Sequence, residues 1–442
     1  MNNVHDLGAA LDNVRTVYVS ADSGELDLAE YVREQIGPEN MHVDDGGVYL
    51  WSGTIWDQVT AAHWKHKVQQ MLKQIPGIKL TDRKVSSVAN LAKTDSYTPD
   101  FEWPHDDGEA VACLNGVAEF DGNRWSLREH QREDYRTSVI PVEFHDDADS
   151  PRFVQFLREV FEGDPDAADK ATATMEMVGY TLMRHNRHER FVIVVGTGSN
   201  GKSVLLDMLG RLCGTENVAA VQPDQLDRPF QRASLYRKLA NIITELRQGE
   251  QIRDAALKSL VSGEITTVEQ KFGHPFQMKP YATQWYATNH MPHTRDFSYA
   301  LFRRAVVIPF NRRFEGAEVD RNLTQKLVEE LPGILRLALG CYGEALKRGE
   351  FTEPQSCIEA KDAWRLEADQ VHRWATEGLE HKPGGFVSIK HAYERYLDWA
   401  KDQGIHKTVG KHEFTSRVER LGFELGRSNK GRTIKNVQEC IL

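Results

Sequence analysis

The sequence predicts an α/β protein organised around a parallel sheet, and three observations point to it. A wholly apolar, mostly β-branched run, Phe191 to Val195, has the pattern of a strand buried on both faces. It leads directly into the glycine-rich octapeptide Gly196–Ser203 and then into a helical run from Val204 to Leu212. Further apolar runs, Leu239 to Ile243, Tyr281 to Ala287 and Ala305 to Pro309, repeat the strand pattern with helical periodicity between them.

The regions on either side read differently. From Val48 to Gln58 apolar and polar residues alternate around Ser-Gly, and Val117 to Trp125 repeats that logic around Asp-Gly, so both are expected to be β-hairpins. Ala61 to Ile75 lies between them with apolar residues at helical spacing. Residues 1–150 are therefore expected to form an N-terminal mixed α/β domain, closed by the Pro- and Asp-rich break at Asp146 to Pro151. Residues 151–350 are expected to form the nucleotide-binding core, with Phe153 to Leu182 in its helical lead-in over 151–190. In 351–442, a helical stripe through Ile389, Ala392, Tyr393, Tyr396 and Trp399 and a second through Phe414, Val418 and Leu421 precede two short strands around Ser428–Gly431. Two helices followed by such a wing predict a winged-helix-like domain.

A chain of 442 residues exceeds what one hydrophobic core normally serves. No apolar run approaches the roughly 20 residues of a membrane span, and Met1 to Ala10 lacks the basic and apolar segments of a secretory signal, so no membrane partner and a cytoplasmic location are expected. The cysteines, Cys113, Cys213, Cys341, Cys357 and Cys440, form no Cys-x-x-Cys pair and are expected to be reduced structural thiols. A net charge of -10 argues against coating DNA with the whole surface, but leaves room for DNA in a locally basic channel.

The octapeptide carries the most specific chemistry. Gly196-Thr197-Gly198-Ser199-Asn200-Gly201-Lys202-Ser203, followed by Val204, satisfies G-x-x-x-x-G-K-[ST] between a buried strand and a helix. Glycines let successive backbone N–H groups form a nest for phosphate oxygens, and the helix N-terminus directs its dipole at the same charge. Lys202 is expected at the β- and γ-phosphates of ATP and Ser203 on Mg²⁺. About forty residues on, Asn241-Ile242-Ile243-Thr244-Glu245 ends a strand with a carboxylate suited to polarise the attacking water and to sit near Mg²⁺. Thr244 stands where many such enzymes carry a metal-holding aspartate. Asn289 closes the strand Trp285–Asn289, where an amide can contact the γ-phosphate; Asn also ends strands for turn reasons alone.

With GTGSNGKS, NIITE, TQWYATNHMP and ALFRRAVVIPF in this order, the chain resembles the superfamily 3 helicases, most closely the phage, plasmid and poxvirus primase-helicases. Upstream, CLNGVAEFDGNRWSLREHQREDYRTSVIPVEF and the helix containing Met177 to Tyr180 resemble the collar domain of that branch. The resemblance implies an AAA+-like motor, a homo-oligomeric and hexameric ring, ATP at subunit boundaries and 3′-to-5′ movement on single-stranded DNA. It also implies catalytic roles for Lys202, Glu245 and Asn289, and a trans-acting arginine finger at Arg303, with Arg304 as its substitute and Arg295 a third choice. The family further places a DNA-tracking hairpin between the second strand and the sensor. Here that would be Thr266 to Gln270 and Phe276 to Lys279, with Lys271 and Phe272 at the tip; an ordinary exposed hairpin is the competing reading.

From His406 onward the basic residues outnumber the acidic ones, and Arg427, Lys430 and Arg432 cluster on the expected wing, where fork or origin DNA is a candidate ligand and a solvated wing that contacts only protein is the alternative. Relatives often carry a primase domain, which needs a carboxylate cluster for its metals. Asp44-Asp45 and Asp106-Asp107 each sit beside Gly at expected turns, so no primase activity is predicted and a separate primase or polymerase is an expected partner. The leading expectation is an ATP-dependent replicative helicase of phage or mobile-element type. A P-loop ATPase acting as origin-binding initiator or loader is the alternative.

Overall fold

The computed structural model describes residues 18–44, 46–99, 101–104, 108–247, 249, 251–269, 275–294, 299–405, 408–428 and 431–440. Among them the fold is mixed α/β, with one parallel sheet and four small antiparallel ones.

The chain opens with helix α1 (Glu25–Ile36) and the meander β1 (Met41–Asp44), β2 (Gly47–Trp51) and β3 (Trp56–Val59), followed by α2 (Ala61–Leu72) and α3 (Asp82–Asp95). Thr60 and Thr81 cap the last two helices, each hydroxyl accepting from a backbone N–H in the first turn. Leu28, Val32, Trp64, Val68, Val85 and Val88 close a core of their own over this meander. The expected hairpin is β2–β3. Sequence reading missed α1, β1, only four residues long, and α3, whose buried stripe of Val85, Val88, Ala89 and Ala92 is half alanine and so weakly hydrophobic.

A second meander, β4 (Ala110–Cys113), β5 (Gly116–Phe120) and β6 (Trp125–Arg128), contains the other expected hairpin. Its Val111, Cys113 and Ala118 pack into the large central core with Phe153, Phe156 and Leu157 rather than onto the first meander. The helical lead-in is two helices, α4 (Pro151–Val160) and α5 (Ala167–Thr181), broken where Gly163 adopts a φ of 91°.

Central strands and helices then alternate: β7 (Phe191–Val195), α6 (Lys202–Cys213), β8 (Val218–Ala219), the single turn α7 (Pro229–Arg232), β9 (Ala240–Ile243) and α8 (Asp254–Val261). A short hairpin, β10 (Thr266–Val268) and β11 (Phe276–Met278), precedes β12 (Thr283–Thr288), the turn α9 (Tyr299–Phe302) and β13 (Ala305–Pro309). The parallel sheet has the order β13-β7-β12-β9-β8. Alternation along β7 explains why its sequence is wholly apolar. Val192 and Val194 enter a core with α4, α5, α6 and, further on, α10 (Leu323–Val328) and α11 (Leu331–Arg348), while Phe191 and Ile193 enter the core on the other face with α8 and α12 (Gln355–Ala368). The helices α5 and α11 meet backbone to backbone at Gly179, where a Cβ would lie 2.5 Å from the Ala338 carbonyl oxygen.

Two polar or aromatic clusters hold the N-terminal elements to the centre. The Arg237 guanidinium lies 4.9 Å from the Tyr49 ring, 4.6 Å from Trp103 and 4.8 Å from Tyr236, a cation–π cage closed from both sides. The Glu109 carboxylate accepts from His185 (3.1 Å), Arg187 (3.0 Å) and the Tyr342 hydroxyl (2.8 Å).

The C-terminal elements are α13 (Gln370–Gly378), β14 (Leu379–Ser388), α14 (Ile389–Asp402), α15 (Lys411–Arg420), β15 (Leu425–Ser428) and β16 (Gly431–Glu439), around Trp374, Tyr396, Phe414, Val418 and Ile434. The two stripes and the strand pair stand where the sequence pattern put them. A third strand, β14, pairs with β16, and its exposed, Pro- and Gly-containing sequence gave no strand signal.

Candidate functional site

The turn from β7 into α6 has three residues at positive φ: Gly198 (101°), Ser199 (48°) and Gly201 (89°). Gly201 is required twice over, because a Cβ there would also meet Val160 Cγ1 at 2.5 Å. The turn is anchored from outside. The Gly196 N–H donates to the Thr288 carbonyl (3.1 Å), the Phe314 N–H to the Ser199 carbonyl (2.7 Å), and the Asn200 amide to the Phe310 carbonyl (3.3 Å).

Lys202 is 6% exposed, and its ammonium donates to the Gly196 carbonyl (2.5 Å), Asn200 Oδ1 (3.1 Å) and Asn289 Oδ1 (3.4 Å). Burial lowers its pKa, and the nearby Glu245 carboxylate opposes that shift. Because β12 lies beside β7 and β9 beside β12, the carboxyl ends of all three strands meet at one place. That is where a parallel sheet presents its crevice. The crevice is a cavity of about 430 Å³ lined by Gly198 to Val204, Thr244, Glu245, Thr288 and Asn289. Gly196 and Thr197 support the turn without lining it.

The opposite wall was not foreseen. Arg152, Phe156 and Glu159 come from α4, and Phe314, Glu318, Val319, Asp320 and Leu323 from the chain after β13. No motif marks them. The Arg312 guanidinium covers the Phe314 ring at 4.6 Å and pairs with Glu318 (3.1 Å) and Glu162, which fixes this wall.

Arg303 and Arg304 lie at the other end of the sheet, just before β13, where the Phe191 N–H at the start of β7 donates to the Arg304 carbonyl. They differ sharply. The Arg304 side chain is 11% exposed and bonds Glu189 (2.7 Å), Ser262 Oγ (2.9 Å) and the Ala300 carbonyl (2.6 Å). The Arg303 side chain is 49% exposed with one long contact to Glu189 (3.5 Å).

The strands β10 and β11 form the expected hairpin, shorter than predicted, while Lys271 and Phe272 lie outside the described residues, as do Arg295 and Lys430. Arg427 and Arg432 are direct cross-strand partners on β15 and β16, both exposed, and form no ion pair among the described residues. Like charges set opposite each other destabilise a strand pair unless an anion joins them.

A family model described as D5 N terminal like matches residues 29–162, and a family of unknown function (DUF5906) matches residues 194–304. A protein named "Putative helicase" in Acanthamoeba polyphaga mimivirus is 21% identical over 392 residues, covering 80% of this chain and 39% of that protein. Another of that name in Invertebrate iridescent virus 6 is 22% identical over 242 residues, covering 49% and 24% respectively. The chain thus spans well under half the length of these relatives. Among solved structures, the apo C-terminal region of NrS-1 superposes with a TM-score of 0.49 at 13% identity, covering 91% of this chain and 98% of that one. The D5-type N-terminal segment and the viral relatives support a protein of the phage and viral primase-helicase type.

Proposed function

We propose that the chain is an ATP-driven, ring-forming DNA helicase of the AAA+-like superfamily 3 type, acting on single-stranded DNA in replication. The observation that carries this reading is the convergence of Lys202, Ser203, Glu245 and Asn289 on one crevice while the exposed Arg303 stands at the far edge of the same sheet.

In the crevice, ATP phosphates lie in the turn Gly198–Ser203, with Lys202 released from the Gly196 carbonyl to the β- and γ-phosphates. Mg²⁺ fits the donor set of one hydroxyl, Ser203, a neighbouring carboxylate, Glu245, and phosphate oxygens, since this ion keeps several waters and takes few protein ligands. When bound, it neutralises charge on the phosphates. Glu245 orients a water and accepts its proton as the oxygen attacks the γ-phosphorus and ADP departs. Asn289 holds Lys202 and reaches the γ-phosphate. Phe156, Phe314, Val319 and Leu323 supply an apolar wall for the base.

The ring reading is tested by steady-state ATP turnover at rising protein concentration, with and without single-stranded DNA. Turnover is expected to rise cooperatively, to be stimulated by the strand and to vanish in Lys202→Ala. Turnover indifferent to both concentration and DNA would overturn the motor.

The C-terminal helices and sheet support a winged-helix reading, and the Arg427–Arg432 couple, which forms no ion pair among the described residues, favours phosphate contact with fork or origin duplex. Arg432→Glu is expected to add about 0.5 kcal/mol of stability by pairing with Arg427, yet to weaken duplex binding. Calorimetry and a filter-binding titration read the two effects. Loss of stability with unchanged duplex affinity would remove the wing from the DNA surface and leave the initiator reading without its basis.

A further inference from the structure

A second cavity, about 250 Å³, opens at the amino-terminal edge of the parallel sheet, opposite the glycine-rich turn. Its wall includes Arg184, Arg187 and Glu189 from the segment that runs into β7, Gly263 from the approach to β10, and Lys279 from the exit of β11. It therefore sits at the root of the hairpin, with both hairpin strands leaving from its rim.

The charge here is opposite to that of the chain as a whole. Arg184, Arg187 and Lys279 line the cavity against one lining carboxylate, Glu189, which Arg303 and Arg304 also pair with, while Arg187 pairs with Glu109. The whole chain carries -10. Arg184 is 4% exposed and donates to the Pro104 carbonyl (2.8 Å), which fixes its guanidinium in the wall. Lys279 is exposed and pairs with no carboxylate among the described residues. Cations concentrated in a concave site raise the local anion concentration, and fixed guanidinium groups match phosphate oxygens.

We propose that this cavity binds a phosphate ester, namely a backbone phosphodiester of the single strand engaged by the hairpin. The site is smaller than the 430 Å³ nucleotide crevice and offers nothing like its glycine-rich turn, which suits one phosphate with its sugar rather than a triphosphate. The proposal rests on the reading of the chain as a single-strand motor.

The test is fluorescence anisotropy of a labelled oligo-dT across a salt series, using the full chain, Lys279→Gln, Lys279→Glu and the remote surface control Lys73→Gln. Removing one phosphate contact to a single strand makes the slope of log K against log salt shallower by about 0.7 and weakens binding about fivefold at 0.1 M salt. Lys279→Gln is expected to show both changes, Lys279→Glu a larger loss, and Lys73→Gln neither. Equal affinity and slope for Lys279→Gln and the control would remove this site while the motor reading stands. A parent that binds no oligo-dT would remove both. A fluorescent ATP analogue, titrated without DNA, separates the other source of phosphate: weakened analogue binding with intact oligo-dT affinity would assign the cations to a nucleotide held by a neighbouring copy and overturn the proposal.

Discussion

Arg303→Ala is expected to lower ATP turnover by about 10³ or more while ATP binding is retained, the effect known for trans arginine fingers in related NTPases. The geometry explains why the effect should require a second subunit. Arg303 lies before β13, level with the start of β7, and the five residues of β7 separate it from the glycine-rich turn. At about 3.3 Å per residue that is about 17 Å, farther than an arginine side chain reaches. A guanidinium so placed acts on a nucleotide bound by a neighbour or on none. An equal mixture of Lys202→Ala and Arg303→Ala should therefore regain part of the turnover, because some interfaces combine an intact crevice with an intact finger. No recovery in the mixture, at concentrations where rings form, would discard the shared site. Arg304→Ala should behave differently. Its side chain is buried against Glu189, Ser262 and the Ala300 carbonyl, so its loss is expected to cost about 3 kcal/mol of stability, seen as a lowered Tm.

Glu109→Ala is expected to destabilise the fold by about 3 kcal/mol at pH 7, because it strands His185 and the Tyr342 hydroxyl without their shared acceptor. The same cluster sets a pH dependence. Burial works against the Glu109 carboxylate, but the hydrogen bond and charge of His185, the Tyr342 hydroxyl and Arg187 outweigh it and hold its pKa below the usual 4.5. Stability from this shift is complete above 4.5 and is lost as pH falls through the lowered folded value. Burial also holds His188 below its usual 6.5, with Glu109 partly opposing, so its contribution is present above 6.5 and is lost as pH falls through its own lowered value. The parent should therefore lose stability in two stages on acidification, the first beginning near pH 6.5 and the second below 4.5. In Glu109→Ala the second stage should shrink and the first should steepen, since the group that opposed the His188 shift is gone. Chemical denaturation at several pH values measures this. A variant with the parent's acid profile would show that the cluster carries no linkage.

Much of the architecture was legible because it is written in local pattern. Phe191–Val195 is apolar at every position because the strand is buried on both faces, and the glycines that follow are required by positive φ at Gly198 and Gly201. Strand-end residues such as Glu245 and Asn289 could be picked out because a parallel strand delivers whatever follows its last apolar residue to the carboxyl edge. The helical stripes of the C-terminal elements were equally plain, since Ile389, Ala392, Tyr396 and Trp399 mark one face.

Other features have no local signature. The order β13-β7-β12-β9-β8 arises from hydrogen bonds between strands up to 114 residues apart, from Phe191 to Ala305, and it alone decides that Asn289 meets Lys202. Phe314 and Phe156 became walls of the crevice only because the chain after β13 folds back across Ser199 and α4 packs against Gly201. Arg303 and Arg304 are adjacent and alike as letters, yet one is exposed and the other locked to Glu189 and Ser262. Sequence by itself determined the central strands of the parallel sheet, the helical stripes and the glycine-rich turn, because those follow from burial period and backbone freedom. Tertiary structure decided which of their side chains share a cavity, an edge or a charge, because that depends on long-range pairing and on what each residue is buried against.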